Sequence, residues 1–73
     1  MMLSPGTLVR PSAFGMPVWS DRPVSISTSV KHARPDEVFI VISHDMYCEQ
    51  SWVLILNGRL FGWSIVNNLA EII

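Results

Sequence analysis

The sequence has one cysteine, few charged residues and no long apolar run, and each shortage excludes a class of protein. Cys48 has no second cysteine to pair with, so no internal disulfide forms and nothing indicates an oxidising compartment. Lys and Arg number 5 against 6 Asp and Glu, a net charge of −1 that argues against binding nucleic acid chiefly through phosphates. The longest apolar runs, residues 38–42 and 52–56, are far shorter than a membrane span. We therefore expect a cytoplasmic protein with no membrane contact.

The sequence also lacks the residue groupings of a catalytic or metal centre. A structural zinc takes four Cys or His ligands with paired spacing, whereas this chain offers Cys48 and two separated histidines, His32 and His44. A Cys48–His44 dyad would need the imidazole beside the sulfur, a third group to orient it and a pocket. The four glycines stand apart and form no phosphate-cradling loop. We predict no enzyme activity, no metal site and no cofactor, and no small-molecule substrate is evident.

Apolar side chains are abundant in this chain. A chain of 73 residues is close to the lower limit of independent folding, and it buries only about 60% of the surface that its unfolded form exposes. Hydrophobic residues make up 49% of the sequence and include three tryptophans, which favours a dense core. We expect residues 1–73 to form a single domain, with residues 1–5 as a loose N-terminal tail.

Prolines divide the first half of the chain into short extended pieces. All five lie within the first 35 residues and exclude a long helix there, since each fixes φ and removes a backbone donor. Residues 7–10 are predicted to form a short strand, and residues 12–23 a long irregular loop that touches the core through Phe14 or Trp19. Residues 24–31 alternate apolar and polar side chains, the pattern of a half-buried strand. The side chains assigned to its buried face are Val24, Ile26, Thr28 and Val30.

Strands and polar turns alternate in the second half. Residues 37–43 are apolar on both faces and rich in β-branched side chains, which predicts a central strand. Residues 44–51 are interpreted as a polar loop and residues 52–56 as a second buried strand. Asn57-Gly58 is the dipeptide best suited to a two-residue type I′ turn, because both positions there need a positive φ. Residues 59–65 then return as the partner strand of this hairpin.

The end of the chain leaves two alternatives open. Residues 69–71 are compatible with one helical turn, and Ile72-Ile73 with a short closing strand. Either way, five to six strands separated by polar turns predict a small all-β barrel, which removes the open sheet edges that invite aggregation.

Residues 37–73 resemble the second half of an SH3 domain. Trp52 opens a strand, Asn57-Gly58 stands at the distal turn, Gly62-Trp63 follows, and Asn67-Asn68-Leu69 is similar to the closing one-turn helix. Bacterial-type SH3 domains and small SH3-like proteins of tailed phages share this order. The resemblance implies an SH3-like barrel with a long first loop and, for a phage-encoded chain, a location in the host-cell cytoplasm.

The proline-binding groove of eukaryotic SH3 domains has no counterpart in this sequence. The first strand, residues 7–11, carries no tyrosine. Ile65 stands where the groove proline would be, Asn68 where its tyrosine would be, and the acidic loop is reduced to Asp21. We therefore predict no binding of proline-rich peptides in the polyproline II mode.

Aromatic residues supply the one candidate contact surface. Trp63, with Phe61, is interpreted as core or rim packing. Trp52 begins a strand beside a polar loop, a position where tryptophan often stands half-exposed as an interface anchor. In an SH3-like fold, Trp19, Tyr47 and Trp52 would line the cleft between the first two long loops.

Three hypotheses about function follow. The first is a non-catalytic interaction module that binds a protein partner or its own copies. The second is a nucleic-acid-binding barrel that stacks bases on Trp19; its basic residues would be Arg10, Arg22, Lys31 and Arg34. The third, which the resemblance allows, is a structural or accessory subunit of a phage particle.

Overall fold

The computed structural model describes residues 3–12, 14–21 and 28–72, and their backbone forms one curled antiparallel sheet. Its strands are β1 (Leu8–Pro11), β2 (Met16–Trp19), β3 (Val30–Ala33), β4 (Phe39–Tyr47), β5 (Gln50–Leu56), β6 (Phe61–Ile65) and β7 (Leu69–Glu71). Their order across the sheet is β3-β2-β6-β5-β4-β1-β7, so β3 and β7 are the edges of a half-barrel. The all-β prediction is confirmed, with seven strands in the described residues in place of five to six. None of the described residues belongs to a helix with the length and hydrophobicity of a membrane span.

One face of the sheet, called the core face here, carries the most deeply buried side chains. Val9 lies opposite Phe39, and Val41 lies opposite Ile55, on three neighbouring strands. These side chains are at most 1% exposed. Since side chains alternate along a strand, the residues between them point to the other side of the sheet, called the outer face here.

β4 is buried on one face only. The prediction of a central strand for residues 37–43 is confirmed, because β4 pairs with β5 on one side and β1 on the other. The strand is apolar on both faces but not buried on both: Phe39 and Val41 are buried, whereas Ile40 is 38% exposed and Ile42 is 41% exposed. The half-barrel covers the core face alone and leaves the outer face of β4 in contact with solvent.

The predicted polar loop at residues 44–51 is wrong, because those residues continue the β4–β5 ladder. His44 pairs with Val53 and Tyr47 with Gln50, which leaves only Cys48 and Glu49 in the turn. Their φ angles of 51° and 63° are the positive pair that a type I′ turn requires. Pairing of the backbone with β5 here outweighs the polarity of the side chains.

The hairpin predicted at Asn57-Gly58 is confirmed as the connection of β5 to β6, but its turn type is wrong. Gly58 is not among the residues of positive φ, and the last paired residues are Leu56 and Phe61, so the connection has four residues. The Asn57 N–H donates to the Leu60 carbonyl over 2.9 Å. The Asn57 Oδ1 accepts from the backbone N–H groups of Arg59 at 2.8 Å and Leu60 at 2.7 Å. The asparagine side chain thus closes the turn without left-handed backbone.

The long first loop predicted for residues 12–23 is wrong in part, because β2 lies inside it. Val18 on β2 is buried, whereas Phe14 is 88% exposed and does not reach the core. Gly62 on β6 lets β2 approach closely: a Cβ at Gly62 would lie 2.6 Å from the Trp19 carbonyl oxygen. This contact brings Trp19 opposite Trp63 across the two strands.

β3 begins at Val30, near the end of the strand predicted for residues 24–31, and continues to Ala33. Residues 24–27 lie outside the described part of the chain. Val30, expected on the buried face, is 46% exposed, and the buried residue of β3 is Ala33. β3 is an edge strand that pairs with β2 alone within the described residues, so it has little to pack against.

Both ends of the described chain are fixed to the sheet. Leu3, within the segment expected to be a loose tail, is 1% exposed, and the Gly6 N–H donates to the Val41 carbonyl over 2.8 Å. At the other end a one-turn 3-10 helix, Val66–Asn68, precedes β7, which pairs with β1. The chain therefore has both a helical turn and a closing strand, each a few residues earlier than expected.

Candidate contact surface

The structure places Trp19 and Trp52 in contact on the outer face. Their ring centroids lie 5.5 Å apart with an interplanar angle of 70°, an edge-to-face arrangement. Trp52 is only 7% exposed, so it is not the half-exposed side chain expected from its position at a strand end. Its Nε1 is buried and finds no hydrogen-bond acceptor among the described residues. Of the two side chains interpreted as core or rim packing, Trp63 is half-buried, whereas Phe61 is 62% exposed and does not belong to the core.

Tyr47 lies on the same face but at the tip of the β4–β5 hairpin. It is 39% exposed and is two residues from Asp45, which lies directly opposite Trp52. Side chains two apart on a regular strand share a face, and the bulge of β4 lies before Asp45, between Val41 and Ser43, where it shifts the alternation by one residue. The three predicted contact residues therefore share the outer face, with Tyr47 at its end. Their role in binding stays a prediction.

The largest exposed feature of the outer face was missed by the sequence reasoning. Leu8, Ile40, Leu56 and Phe61 lie directly opposite one another on β1, β4, β5 and β6. They are exposed by 47%, 38%, 39% and 62%, respectively. We call these four side chains the apolar row. The signal was in the sequence, since residues 37–43 are apolar on both faces, but it was used only to predict a central strand.

A second line of apolar side chains flanks the apolar row. Leu54 and Trp63 are opposite each other and lie two residues from Leu56 and Phe61 on the same strands. Both are half-buried, and Trp19 continues the line onto β2. The outer face is therefore apolar over more than one row of the sheet.

Glu37 is the centre of a polar cluster at the β5–β6 turn, which connects Leu56 and Phe61 of the apolar row. Its carboxylate accepts from the Arg34 N–H at 2.9 Å, from Asn57 Nδ2 at 2.9 Å and from Arg59 Nε at 3.1 Å. It also accepts from Arg59 Nη2, and the same nitrogen donates to the His32 carbonyl over 3.1 Å. Chiefly because of the hydrogen bond from Arg59, the pKa of Glu37 is lowered from 4.5 to about 2. The cluster joins β3, the β3–β4 connection and the β5–β6 turn.

The residues considered for metal or thiol chemistry are not brought together. Cys48 is exposed in the β4–β5 turn, whereas His44 lies opposite Val53 on the core face. The His44 Nε2 is buried and has no hydrogen-bond partner among the described residues. Among those residues there is also no group of three or more His, Cys, Asp or Glu side chains placed to hold a metal ion.

A shallow cavity opens beside the apolar row at the β2–β3 edge. Its volume is about 150 Å³, below the ~300–1,000 Å³ of typical small-molecule sites. The side chains that line it are Val18, Ser20, Ser29, Lys31, Leu60 and Phe61. It is too small to serve as a typical small-molecule site.

The described basic residues do not form one patch. Lys31 lies on β3 and Arg10 on β1, and β2, β6, β5 and β4 separate those strands in the sheet. Arg34 follows β3 and faces Glu37, with 3.8 Å between Nε and the carboxylate. Arg22 lies outside the described residues. A continuous track for a phosphate backbone is therefore missing from the described surface.

No family model, curated protein or solved structure matches this chain. The resemblance to SH3 domains therefore rests on the residues quoted above. The structure itself shows a curled antiparallel sheet that is compatible with a small barrel. Function has to be inferred from the outer face and its chemistry.

Proposed function

We propose that this chain is a non-catalytic interaction module that binds a protein surface, a partner's or that of its own copies, through its outer face. The observation that carries the proposal is the apolar row. Four exposed apolar side chains in register across four strands form a contiguous patch, and such patches on small domains mark contact sites.

The row is held by a rigid support, which favours binding. Each of its members is adjacent in sequence to a buried residue: Leu8 to Val9, Ile40 to Phe39, and Leu56 to Ile55. Phe61 lies between the buried Leu60 and Gly62. A surface built on ordered strands loses little conformational entropy on association, so more of the contact energy appears as affinity.

Within this proposal the fold is an SH3-like barrel whose contact surface is the sheet itself. The 3-10 turn Val66–Asn68 lies close to the place where the resemblance put the closing helix, and the β5–β6 hairpin stands at the distal turn. Trp19 and Tyr47 extend the contact surface beyond the row, and Trp52 supports Trp19 from within. This arrangement replaces the cleft between loops that the resemblance implied.

Photo-crosslinking tests the proposal in the cells that naturally contain the chain. One variant carries a photoreactive phenylalanine analogue in place of Phe61, and the control carries it in place of Glu71. Glu71 is also exposed but lies opposite Val9, on the side of the core face. We expect protein adducts, with a copy of the chain or with another protein, from position 61 and far fewer from position 71. No adduct from position 61, adducts equal at both positions, or an adduct with nucleic acid would contradict the proposal.

A further inference from the structure

We propose that the cavity at the β2–β3 edge receives one carboxylate group, carried by an acidic side chain of the protein that binds the outer face. This inference rests on the proposed function and adds the chemistry of one contact to it. Phe61 belongs both to the apolar row and to the lining of the cavity. A protein that packs on Phe61 therefore lies beside the mouth of the cavity.

The pairing of β2 with β3 brings the polar groups of the cavity together. Val18 lies opposite Lys31, and the Ser20 N–H donates to the Ser29 carbonyl over 2.9 Å, which continues the ladder beyond the two strands. Positions two apart on a strand share a face, so Lys31, Ser20 and Ser29 lie on the same side as the buried Val18. One ammonium group and two hydroxyl groups thus line the same small space.

The polar side chains of the cavity are suited to an anion. The Lys31 ammonium group can only donate hydrogen bonds. The Ser20 Oγ accepts from the Ser29 N–H over 3.0 Å, which leaves the Ser20 O–H to donate to a ligand. Ser29 adds a second hydroxyl group. Among the described residues that line the cavity there is no Asp or Glu to repel a negative charge.

The charge of Lys31 is not neutralised within the described part of the chain. The neighbouring basic residues, Arg34 and Arg59, both face Glu37. Lys31 has no such partner among the residues that the structure describes. A carboxylate in the cavity supplies that partner, and hydrogen bonds between charged groups are stronger than those between neutral groups.

The size and the apolar part of the cavity favour a carboxylate on a short aliphatic stem. Its volume of about 150 Å³ is below the ~300–1,000 Å³ of sites that hold whole small molecules. Val18 and Leu60, each 4% exposed, form an apolar floor that can pack against methylene groups. A glutamate side chain offers both parts, whereas a phosphate group offers nothing to the apolar floor.

An NMR titration of the purified full chain tests this chemistry. The probe is glutamate blocked as its N-acetyl methylamide, and the control probe is glutamine blocked in the same way. We expect saturable shifts of the Ser29 and Lys31 amide signals with the glutamate probe, and at least ~10-fold weaker binding of the glutamine probe, as for loss of a hydrogen bond between charged groups. Absence of saturable shifts, or equal binding of both probes, overturns the proposal. Tighter binding of inorganic phosphate than of the glutamate probe overturns the assignment to a carboxylate.

Variants of the cavity test the roles of its polar groups. Lys31→Met removes the charge on an exposed edge strand, so it should preserve the fold and raise the dissociation constant of the glutamate probe at least ~10-fold. The matched control is Arg10→Met on β1, which β2, β6, β5 and β4 separate from β3, and it should bind like the parent chain. If circular dichroism shows that Lys31→Met unfolds, Ser29→Ala tests the same space and should weaken binding about 3-fold. Binding that both cavity variants leave unchanged overturns the proposal.

Crosslinking in cells shows whether the bound protein supplies the carboxylate. Lys31→Met is combined with the photoreactive phenylalanine analogue at position 61, and the control combines Arg10→Met with it. We expect the adduct yield to fall at least ~3-fold with Lys31→Met and to stay unchanged with Arg10→Met. An equal yield in both would overturn the assignment of the carboxylate to the partner. Loss of all adducts from position 61 contradicts the proposed function instead, while the titration alone decides the chemistry of the cavity.

Discussion

Among single residues, Asn57 contributes most clearly to the β5–β6 connection. Its Oδ1 accepts two backbone N–H groups, and its Nδ2 donates to Glu37 over 2.9 Å. Gly58, the next residue, is exposed, has no positive φ and has open space around its Cβ position. The geometry therefore assigns the turn to the asparagine side chain.

Asn57→Ala should lower the free energy of unfolding by about 1–3 kcal/mol, because two backbone donors and the Glu37 carboxylate each lose a partner. Gly58→Val should change it by only about 0.5 kcal/mol, as a surface substitution does. Urea denaturation of both variants measures the difference. A larger loss from Gly58→Val would show that the glycine, after all, holds the turn.

The tryptophans give a second test at the residue scale. Trp52 is 7% exposed and packs against Trp19, whereas Trp63 is half-buried. Trp52→Ala should therefore cost about 3–5 kcal/mol of stability, as truncation of a buried aromatic does. Trp63→Ala should cost less. Guanidinium denaturation shows which of the two variants loses more stability. A smaller loss for Trp52→Ala than for Trp63→Ala would contradict the core role of Trp52 and favour its role as an interface anchor.

At the scale of elements, the sequence predicted the presence of strands better than the residues at which they begin and end. The apolar runs of residues 37–43 and 52–56 located β4 and β5, because a short run of apolar side chains, rich in β-branched residues in the first case, is a local property of the sequence. The extension of β4 to Tyr47 depends on pairing with β5, which the polar residues 44–51 do not encode locally. β2, with its proline, was missed for the same reason: it is held by pairing with β3 and β6.

The candidate surface was only partly predictable for a related reason. Aromatic residues are conspicuous in a sequence, so Trp19, Tyr47 and Trp52 were selected, and the structure places them on one face. The apolar row is a property of register between four strands, and register is set by tertiary pairing. A sequence does not show whether a face of a sheet is covered, so aliphatic residues in a strand are interpreted as core residues even when their face is exposed.

The Glu37 cluster links separate elements, and it predicts how stability depends on pH. The folded-state pKa of Glu37 is about 2 against 4.5 for the unfolded chain. A lowered carboxyl pKa means that its stabilisation is fully present above pH 4.5 and is lost as the pH falls from about 4.5 to about 2. Glu37→Gln should be less stable than the parent chain at pH 7 and should lose less stability over that acid range.

Thermal unfolding at pH 7, 4 and 3 compares these variants. The control is Glu71→Gln, which removes an exposed carboxylate at the sheet edge and should follow the parent chain. An acid loss of stability that is equal in the parent chain and in Glu37→Gln would mean that Glu37 does not carry this pH dependence.

On the scale of the whole molecule, the sheet has a covered core face and an outer face that is exposed along the apolar row. The curl of the half-barrel encloses the core face, where Val9, Val53 and Ile55 are fully buried. On the outer face, aliphatic side chains remain in contact with water at a cost of about 25 cal/mol per Å². The central claim is that association with a protein surface removes this apolar row from water.

A single NMR measurement tests that claim most directly: broadening of methyl signals by a soluble nitroxide, in the complex identified by crosslinking. In the isolated chain Ile40 in the row and Met46, which pairs with Ser51 on the side of the core face, are both exposed, by 38% and 58%. We predict that on association the Ile40 methyl signals become protected from the nitroxide while the Met46 methyl signal stays broadened. Equal broadening of both residues in the associated state would show that the apolar row is not the contact surface.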